Sequence, residues 1–212
     1  SEMCIRDSYW YPHYAATVVI AVDRSLTQAP ISGWNSLRVA GEPIMFAAEG
    51  DAFFRHCFAA VSYGLDGNAF SLNNALLLFE ALAQQGLLTE DSAAPIQICF
   101  DYQAAAQIQA GRALEVIVPA EGTLSFMRGL LSHRELPLAG DMEAALIKQG
   151  FRLADGRCSS GLYPVDASYQ RAHTLEDYGQ LNRATEEVAA RYRREVLHER
   201  LYTTTDLSLI HI

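Results

Sequence analysis

The sequence lacks the short motifs that mark the common enzyme sites. It contains no GxSxG nucleophile elbow, no GxxxxGK[ST] phosphate loop, no GxGxxG segment after a strand and no HExxH pair. We therefore expect no catalytic residues in this chain. We also expect no cofactor and no metal site.

Basic residues, cysteines and long apolar runs are also scarce. The chain has 16 Lys and Arg against 25 Asp and Glu, and its formal net charge is −9, which argues against nucleic-acid binding. The cysteines have no regular spacing, so neither a disulfide framework nor a zinc site is predicted, and Cys57 and Cys99 are interpreted as small core residues. No apolar run reaches the roughly 18 residues that a membrane-spanning helix needs.

Both ends of the chain resemble translated sequencing adapters of the transposase type. Residues 1–8 (SEMCIRDS) match one adapter in frame, and residues 207–212 (LSLIHI) match the other one read inward. Engineered scars are excluded before a fold is predicted. We therefore expect the native sequence to run from about residue 9 to residue 206 as an internal piece of a longer protein. The alternative is a natural start at Met3 and an apolar tail.

Four short apolar runs predict buried β-strands, at residues 17–22, 44–48, 96–100 and 114–118. Helical spacing of apolar residues predicts helices between them, at residues 51–63, 71–85 and 101–110, with further helices at 124–131, 141–149 and 174–201. Strands that alternate with helices favour an α/β domain with a mainly parallel sheet.

Three predicted turns from a strand into a helix carry acidic residues. They contain Glu49-Gly50-Asp51, Asp101 and Glu121. Ligands of open α/β sheets bind beyond the carboxyl ends of the strands. The free N–H groups of a helix start favour anions, whereas the acids favour cationic or hydroxylated ligands. Asp51 and Asp101 also stand where helix N-caps belong, so each is as well explained by capping alone.

Aromatic residues are concentrated just before the first predicted strand, at positions 9, 10, 11 and 14. Aromatic rings with a polar tip suit the wall of a small-molecule cleft. The alternative is a surface segment that packs against a lobe absent from this chain.

Four further segments occur in a specific order and spacing. Residues 11–23 read YPHYAATVVIAVD, residues 30–37 read PISGWNSL, residues 59–72 contain GLDG, and residues 118–123 read VPAEGT. Together they resemble the type 1 extracellular solute-binding proteins of ABC importers. The first and last segments are similar to the two crossings between lobes in that family. The second segment departs from its P-x-S-W-x-D-L pattern by an inserted Gly33 and by Asn35.

The resemblance, which covers residues 11–131, implies an α/β periplasmic-binding-protein-like (type II) fold of two lobes. Residues 9–131 would form the second lobe with both crossings, and residues 132–206 would form a helical part that packs on a mostly missing first lobe. The implied function is to bind a small solute between the lobes and to deliver it to a membrane permease. The implied protein is a periplasmic or extracellular monomer, and this chain alone should bind its solute weakly.

Matching positions imply a set of ligand-binding residues. The set comprises the crossing aromatics Tyr11 and Tyr14, the cleft turn Glu49, Gly50 and Asp51, Asp101 after its strand, and Glu121 at the return crossing. The sequence departs from polyamine binders in that family, which present a Trp and an Asp where Phe126 and Arg128 stand here.

Two other functions are compatible with the sequence. The chain could be part of an α/β enzyme whose catalytic residues lie outside it, or an effector-sensing domain of a transcription regulator with the same two-lobe fold. A helix-turn-helix upstream would favour the regulator, and an export signal would argue against it.

Overall fold

The computed structural model describes residues 9–46, 52–132, 140–164, 166–175 and 178–198. Its strands are β1 (Tyr9–Asp23), β2 (Ile44–Met45), β3 (Leu88–Thr89), β4 (Ile96–Phe100), β5 (Leu114–Ile117), β6 (Thr123–Ser132) and β7 (Ala172–Thr174). Its helices are α1 (Ala52–Asp66), α2 (Asn73–Gln84), α3 (Asp101–Gln109), α4 (Gly140–Lys148), α5 (Asp166–Tyr169) and α6 (Tyr178–Arg191), with a 3₁₀ helix at Asn35–Val39 and a π-helical turn at Tyr192–Val196.

Strand β1 takes part in two regions of one mixed sheet, whose order is β3-β2-β4-β1-β6-β7 with β5 also paired to β1. Its second half pairs with β4 and β5, and its first half pairs with β6. Residues 18–22 are completely buried, because α1 and α2 cover one face of this half and α3 covers the other. Burial of both faces explains the continuous apolar run, and the strand predicted at 17–22 is confirmed.

The predicted mainly parallel sheet is correct at its edges and wrong at its centre. Strand β2 is parallel to β3 and β4, and β6 is parallel to β7. Strand β1, however, is antiparallel to β4, β5 and β6. The aromatic residues that were expected to precede the first strand lie within β1 itself.

The helix predicted at 124–131 is wrong, because these residues form strand β6. Leu124 and Phe126 are buried in the main core, and Ser125 on the opposite face is also buried. The Ser125 hydroxyl lies 2.7 Å from the Thr17 hydroxyl of β1, so that both faces of the strand are occupied. The period-two alternation that marks a half-exposed strand is therefore hidden in this sequence.

An aromatic cluster joins the π-helical turn after α6 to helices α1 and α2. Tyr192 packs against Phe54 at 5.2 Å between ring centroids, and Phe46 stacks on Phe79 at 4.4 Å. The predicted helix at 174–201 is observed as α6 and its π-helical turn, whereas Thr174 belongs to β7. This segment thus packs on helices of residues 9–131, where the resemblance implied packing on the first lobe, and the division into domains stays a prediction.

Several predictions from the sequence lie partly or wholly outside the described residues. The two adapter-like ends and the turn Glu49-Gly50-Asp51 belong to this group. Within the described ranges, no helix combines the length and apolar character needed to cross a membrane. Cys57 and Cys99 are buried core residues as predicted, and burial raises the pKa of the Cys99 thiol to about 12.

Replacing Tyr192 with Ala should destabilise the protein by about 3 kcal/mol, because a buried aromatic side chain leaves a cavity among the rings it contacts. Urea unfolding followed by circular dichroism measures this change. Leu197→Ala is the matched control, because Leu197 follows the same turn but is 43% exposed. A loss from Tyr192→Ala no larger than that from Leu197→Ala would contradict the packing described here.

Candidate functional site

A cavity of about 650 Å³ lies against strands β1 and β6. Its lining residues are His13, Tyr14, Met127, Arg128, Gly129 and Tyr178. Tyr14 of β1 stands directly opposite Arg128 of β6 in the strand register. Tyr178, the first residue of α6, lies with its hydroxyl 3.5 Å from the Met127 carbonyl oxygen. The antiparallel ladder thus brings an aromatic ring and a guanidinium to one surface.

Tyr14 belongs to an aromatic group that extends from the cavity to the start of α3. Its ring lies 4.6 Å from Phe151 and 5.8 Å from Tyr102, measured between centroids. Tyr102 also stacks on Phe100 at the carboxyl end of β4. Tyr14 therefore links the cavity to this aromatic group, and its predicted contact with a ligand stays a prediction. Tyr11 is half-buried on β1 and does not line this cavity.

Asp101 is completely buried and hydrogen-bonded on both carboxylate oxygens. Its Oδ1 accepts from the N–H groups of Thr17 at 3.1 Å and Tyr102 at 2.9 Å, and its Oδ2 accepts from the Tyr169 hydroxyl at 3.1 Å. Burial raises the pKa of Asp101 to about 6, and these hydrogen bonds oppose the shift. Asp101 thus connects β1, α3 and α5.

Asp101 is not the N-cap of α3, because the cap lies one residue earlier. Phe100 is the N-cap of α3 and Asp101 is its first helical residue. The Phe100 N–H donates to the Gln103 side chain at 2.9 Å. The Asp101 carboxylate still accepts one helix-terminal N–H, from Tyr102, but its other partners come from distant parts of the chain.

Glu121 is likewise engaged by protein donors. Its two oxygens accept from the N–H groups of Trp34 at 3.0 Å and Asn35 at 2.9 Å, at the start of the 3₁₀ helix. The Trp34 indole donates to the Gly122 carbonyl at 2.8 Å. A Cβ at Gly33 would overlap the Glu121 carboxylate, so a larger residue there would displace this side chain from its contacts. Glu121 therefore holds the segment 30–37 against the turn that precedes β6.

The sequence does not identify two residues near the cavity, His56 of α1 and Tyr178. It marks Arg128 only as a departure from the pattern of polyamine binders. The Arg128 Nη2 donates to His56 Nε2 at 3.2 Å. His56 is buried and contacts Phe126 edge-on at 4.5 Å. In a strand, the spacing of two residues places the side chains of Phe126 and Arg128 on one face. This relation is lost when residues 124–131 are interpreted as a helix.

A second cavity of about 540 Å³ lies beside β5. Its wall includes Val116, Leu162, Ser168 and Arg171, and none of the predicted ligand-binding residues that the structure describes lines it. In the described part of the chain no three His, Cys, Asp or Glu side chains cluster in a way that could hold a metal ion.

No protein-family model and no curated protein matches this sequence. The fold is nevertheless similar to solved structures of binding proteins. One is the periplasmic binding protein AfuA from Actinobacillus pleuropneumoniae with fructose-6-phosphate bound, at 16% identity and a TM-score of 0.64, over 91% of this chain and 69% of that one.

Two further structures are similar to a comparable extent. An extracellular solute-binding protein from Bordetella parapertussis has 10% identity and a TM-score of 0.63, over 88% of this chain and 68% of that one. The periplasmic binding protein AgtB from A. tumefaciens R10, in complex with agropinic acid, has 11% identity and a TM-score of 0.59, over 89% and 69%. The chain therefore has a periplasmic-binding-protein-like α/β fold, as predicted.

Replacing Asp101 with Asn should remove a pH dependence of stability. Because folding raises the pKa of Asp101 from 3.8 to about 6, its contribution is fully present below about pH 4 and is lost as the pH rises through about 6. We expect the free energy of unfolding of the wild-type protein to fall by roughly 2 kcal/mol more than that of Asp101→Asn between about pH 4.5 and 7.5.

Urea unfolding at the two pH values measures the difference. The amide oxygen of Asn can still accept from Thr17 and Tyr102, so the variant should fold. Equal pH dependence of the wild-type protein and the variant would show that Asp101 is not the buried acid described here.

Proposed function

We propose that this chain is part of the solute-binding component of an ABC importer and that it binds a small solute at the crossing strands. The observation that carries the proposal is the cavity against β1 and β6, which meets the aromatic group at the carboxyl end of β4. Ligands of open α/β sheets bind beyond the carboxyl ends of strands. A concave site of this size, with aromatic walls and few polar groups, suits a small molecule.

The similar structures support this proposal through their own ligands. AfuA was solved with fructose-6-phosphate, and AgtB with agropinic acid. A third similar structure, at 11% identity and a TM-score of 0.59, is the spermidine/putrescine substrate-binding protein PotD from Streptococcus pneumoniae. These three proteins bind small solutes of different charge. The fold therefore favours solute binding as the class of function, and the residues of this chain determine which solute is bound.

In the proposed mechanism, two lobes close about β1 and β6 with the solute between them. Tyr14 stacks on the solute, and Tyr11 and the N–H groups at Gly50 and Asp51 remain predicted contacts, together with Glu49. Asp101 and Glu121 were predicted to hydrogen-bond the solute directly. Because their oxygens accept from protein groups in this structure, we now propose that both hold the crossing strands and their neighbours in place.

The proposal extends to the setting in which the protein works. A non-catalytic binding protein would act as a monomer in the periplasm or outside the cell, would pass its solute to a membrane permease and would not bind nucleic acid. The acidic net charge of −9 is consistent with the last point.

NMR of the ¹⁵N-labelled chain tests whether this cavity binds a solute. Met127 lines the cavity, whereas Met45 of β2 lies outside its lining and serves as the internal control. In a screen of sugars, sugar phosphates, amino acids, amines and metal complexes at millimolar concentration, we expect at least one class to shift the Met127 backbone amide signal saturably and to leave that of Met45 unchanged.

A Met127 signal that no solute moves would contradict the proposed site. Conversion of a solute during the titration would contradict the non-catalytic function and would favour an enzyme. Weak affinity is compatible with the proposal, because the chain corresponds to 68–72% of the length of the similar proteins.

A further inference from the structure

We infer that the cavity against β1 and β6 selects an anionic solute, and that Arg128 binds the carboxylate or phosphate group of that solute. The inference rests on the proposed function, because it specifies the solute of the same cavity. Three observations carry it: the position of Arg128, the absence of a carboxylate partner for it among the described residues, and the contact that orients its guanidinium.

Arg128 lies in the wall of the cavity at the crossing. It stands opposite Tyr14 in the register, beside Met127 and Gly129. Its side chain is partly buried, so that its charge acts in a medium less polarisable than bulk water. The pairing of β6 with β1 fixes the position of the backbone that carries this charge.

No described carboxylate forms an ion pair with Arg128. By contrast, Arg112 pairs with Asp23, Arg157 pairs with Glu143 and Asp155, and three other arginines pair with glutamates. A partly buried cation is costly unless a counter-charge compensates for the water that it has lost. A bound anion would supply that compensation at Arg128.

His56 orients the guanidinium. Arginine has N–H donors and no acceptor, so the Arg128 Nη2 must donate to His56 Nε2 across their 3.2 Å separation. The imidazole is held by edge-on contacts with Phe126 and Phe100. Among the described residues, His56 is the hydrogen-bond partner of the Arg128 side chain. The remaining N–H groups of the planar fork match the two oxygens of a carboxylate or phosphate.

The charge of Arg128 reaches Tyr178, which lines the cavity, and Tyr102, which packs against Tyr14. Burial raises the pKa of the Tyr102 and Tyr178 hydroxyls, and the nearby Arg128 charge opposes the shift at each of them. A cationic solute at the same place would be repelled by this charge. This local positive group therefore disfavours a diamine, even though the chain as a whole is acidic.

The test compares four probes at constant pH and ionic strength, again with the Met127 backbone amide signal. Inorganic phosphate and malonate are the anionic probes, 1,4-diaminobutane is the cationic one and glycerol is neutral. We expect at least one anion to shift Met127 saturably, and its identity distinguishes a phosphate from a carboxylate solute. Diaminobutane and glycerol should have no effect at the same concentration.

Arg128→Gln should weaken binding of that anion roughly tenfold to a hundredfold, because a charge-assisted hydrogen bond is lost. Arg38→Gln removes the same charge from an exposed 3₁₀ helix away from the cavity and should bind like the wild-type protein. An unchanged Met45 amide signal and an unchanged melting temperature verify the fold. If Arg128→Gln does not fold, Arg128→Lys carries the test, because it keeps the charge without the fork and should bind several-fold more weakly.

Equal anion binding by the wild-type protein and the Arg128 variant would overturn the inference. A Met127 response to diaminobutane or glycerol but to neither anion would also overturn it, while the proposed binding function would stand. A Met127 signal that none of these probes or of the screened solutes moves would overturn both.

Discussion

The antiparallel pairing of β1 with β6 is the interaction on which the rest of the structure depends. It sets Tyr14 opposite Arg128 in the wall of the cavity. Two side-chain contacts reinforce it where β1 enters the sheet. The Thr17 and Ser125 hydroxyls lie 2.7 Å apart, and the Thr123 hydroxyl donates to the Val18 carbonyl at 2.7 Å. A slip of one residue would turn each of these side chains to the opposite face, and the cavity would lose its composition.

The polar residues around β1 and β6 divide into two groups. Asp101 and Glu121 accept hydrogen bonds from distant parts of the chain and so fix neighbouring segments to these strands. Arg128 and Tyr14 line the cavity and face the space that a solute would occupy. The first group is buried or committed to protein partners, which favours order, while the second supplies the groups that can recognise a ligand. The second group is itself held in position, Arg128 by His56 and Tyr14 by Phe151, as a preorganised binding site requires.

The sequence was sufficient for those elements whose signals are local. Helices α2 and α3 lie within the predicted ranges 71–85 and 101–110, and the apolar run at 17–22 identified the buried part of β1. Strand β6 was missed because its partners, such as Thr17, are about a hundred residues away. Tyr14 and Arg128 could be brought together only through that pairing, so the sequence predicted the aromatic wall but not the cation opposite it.

A crystal structure of this chain with a solute that moves the Met127 signal is the most direct measurement of where binding occurs. We expect electron density for the solute against β1 and β6, in contact with Tyr14 and with its anionic group at Arg128. If the density lay instead in the cavity beside β5, between Val116 and Leu162, it would contradict a binding site at β1 and β6.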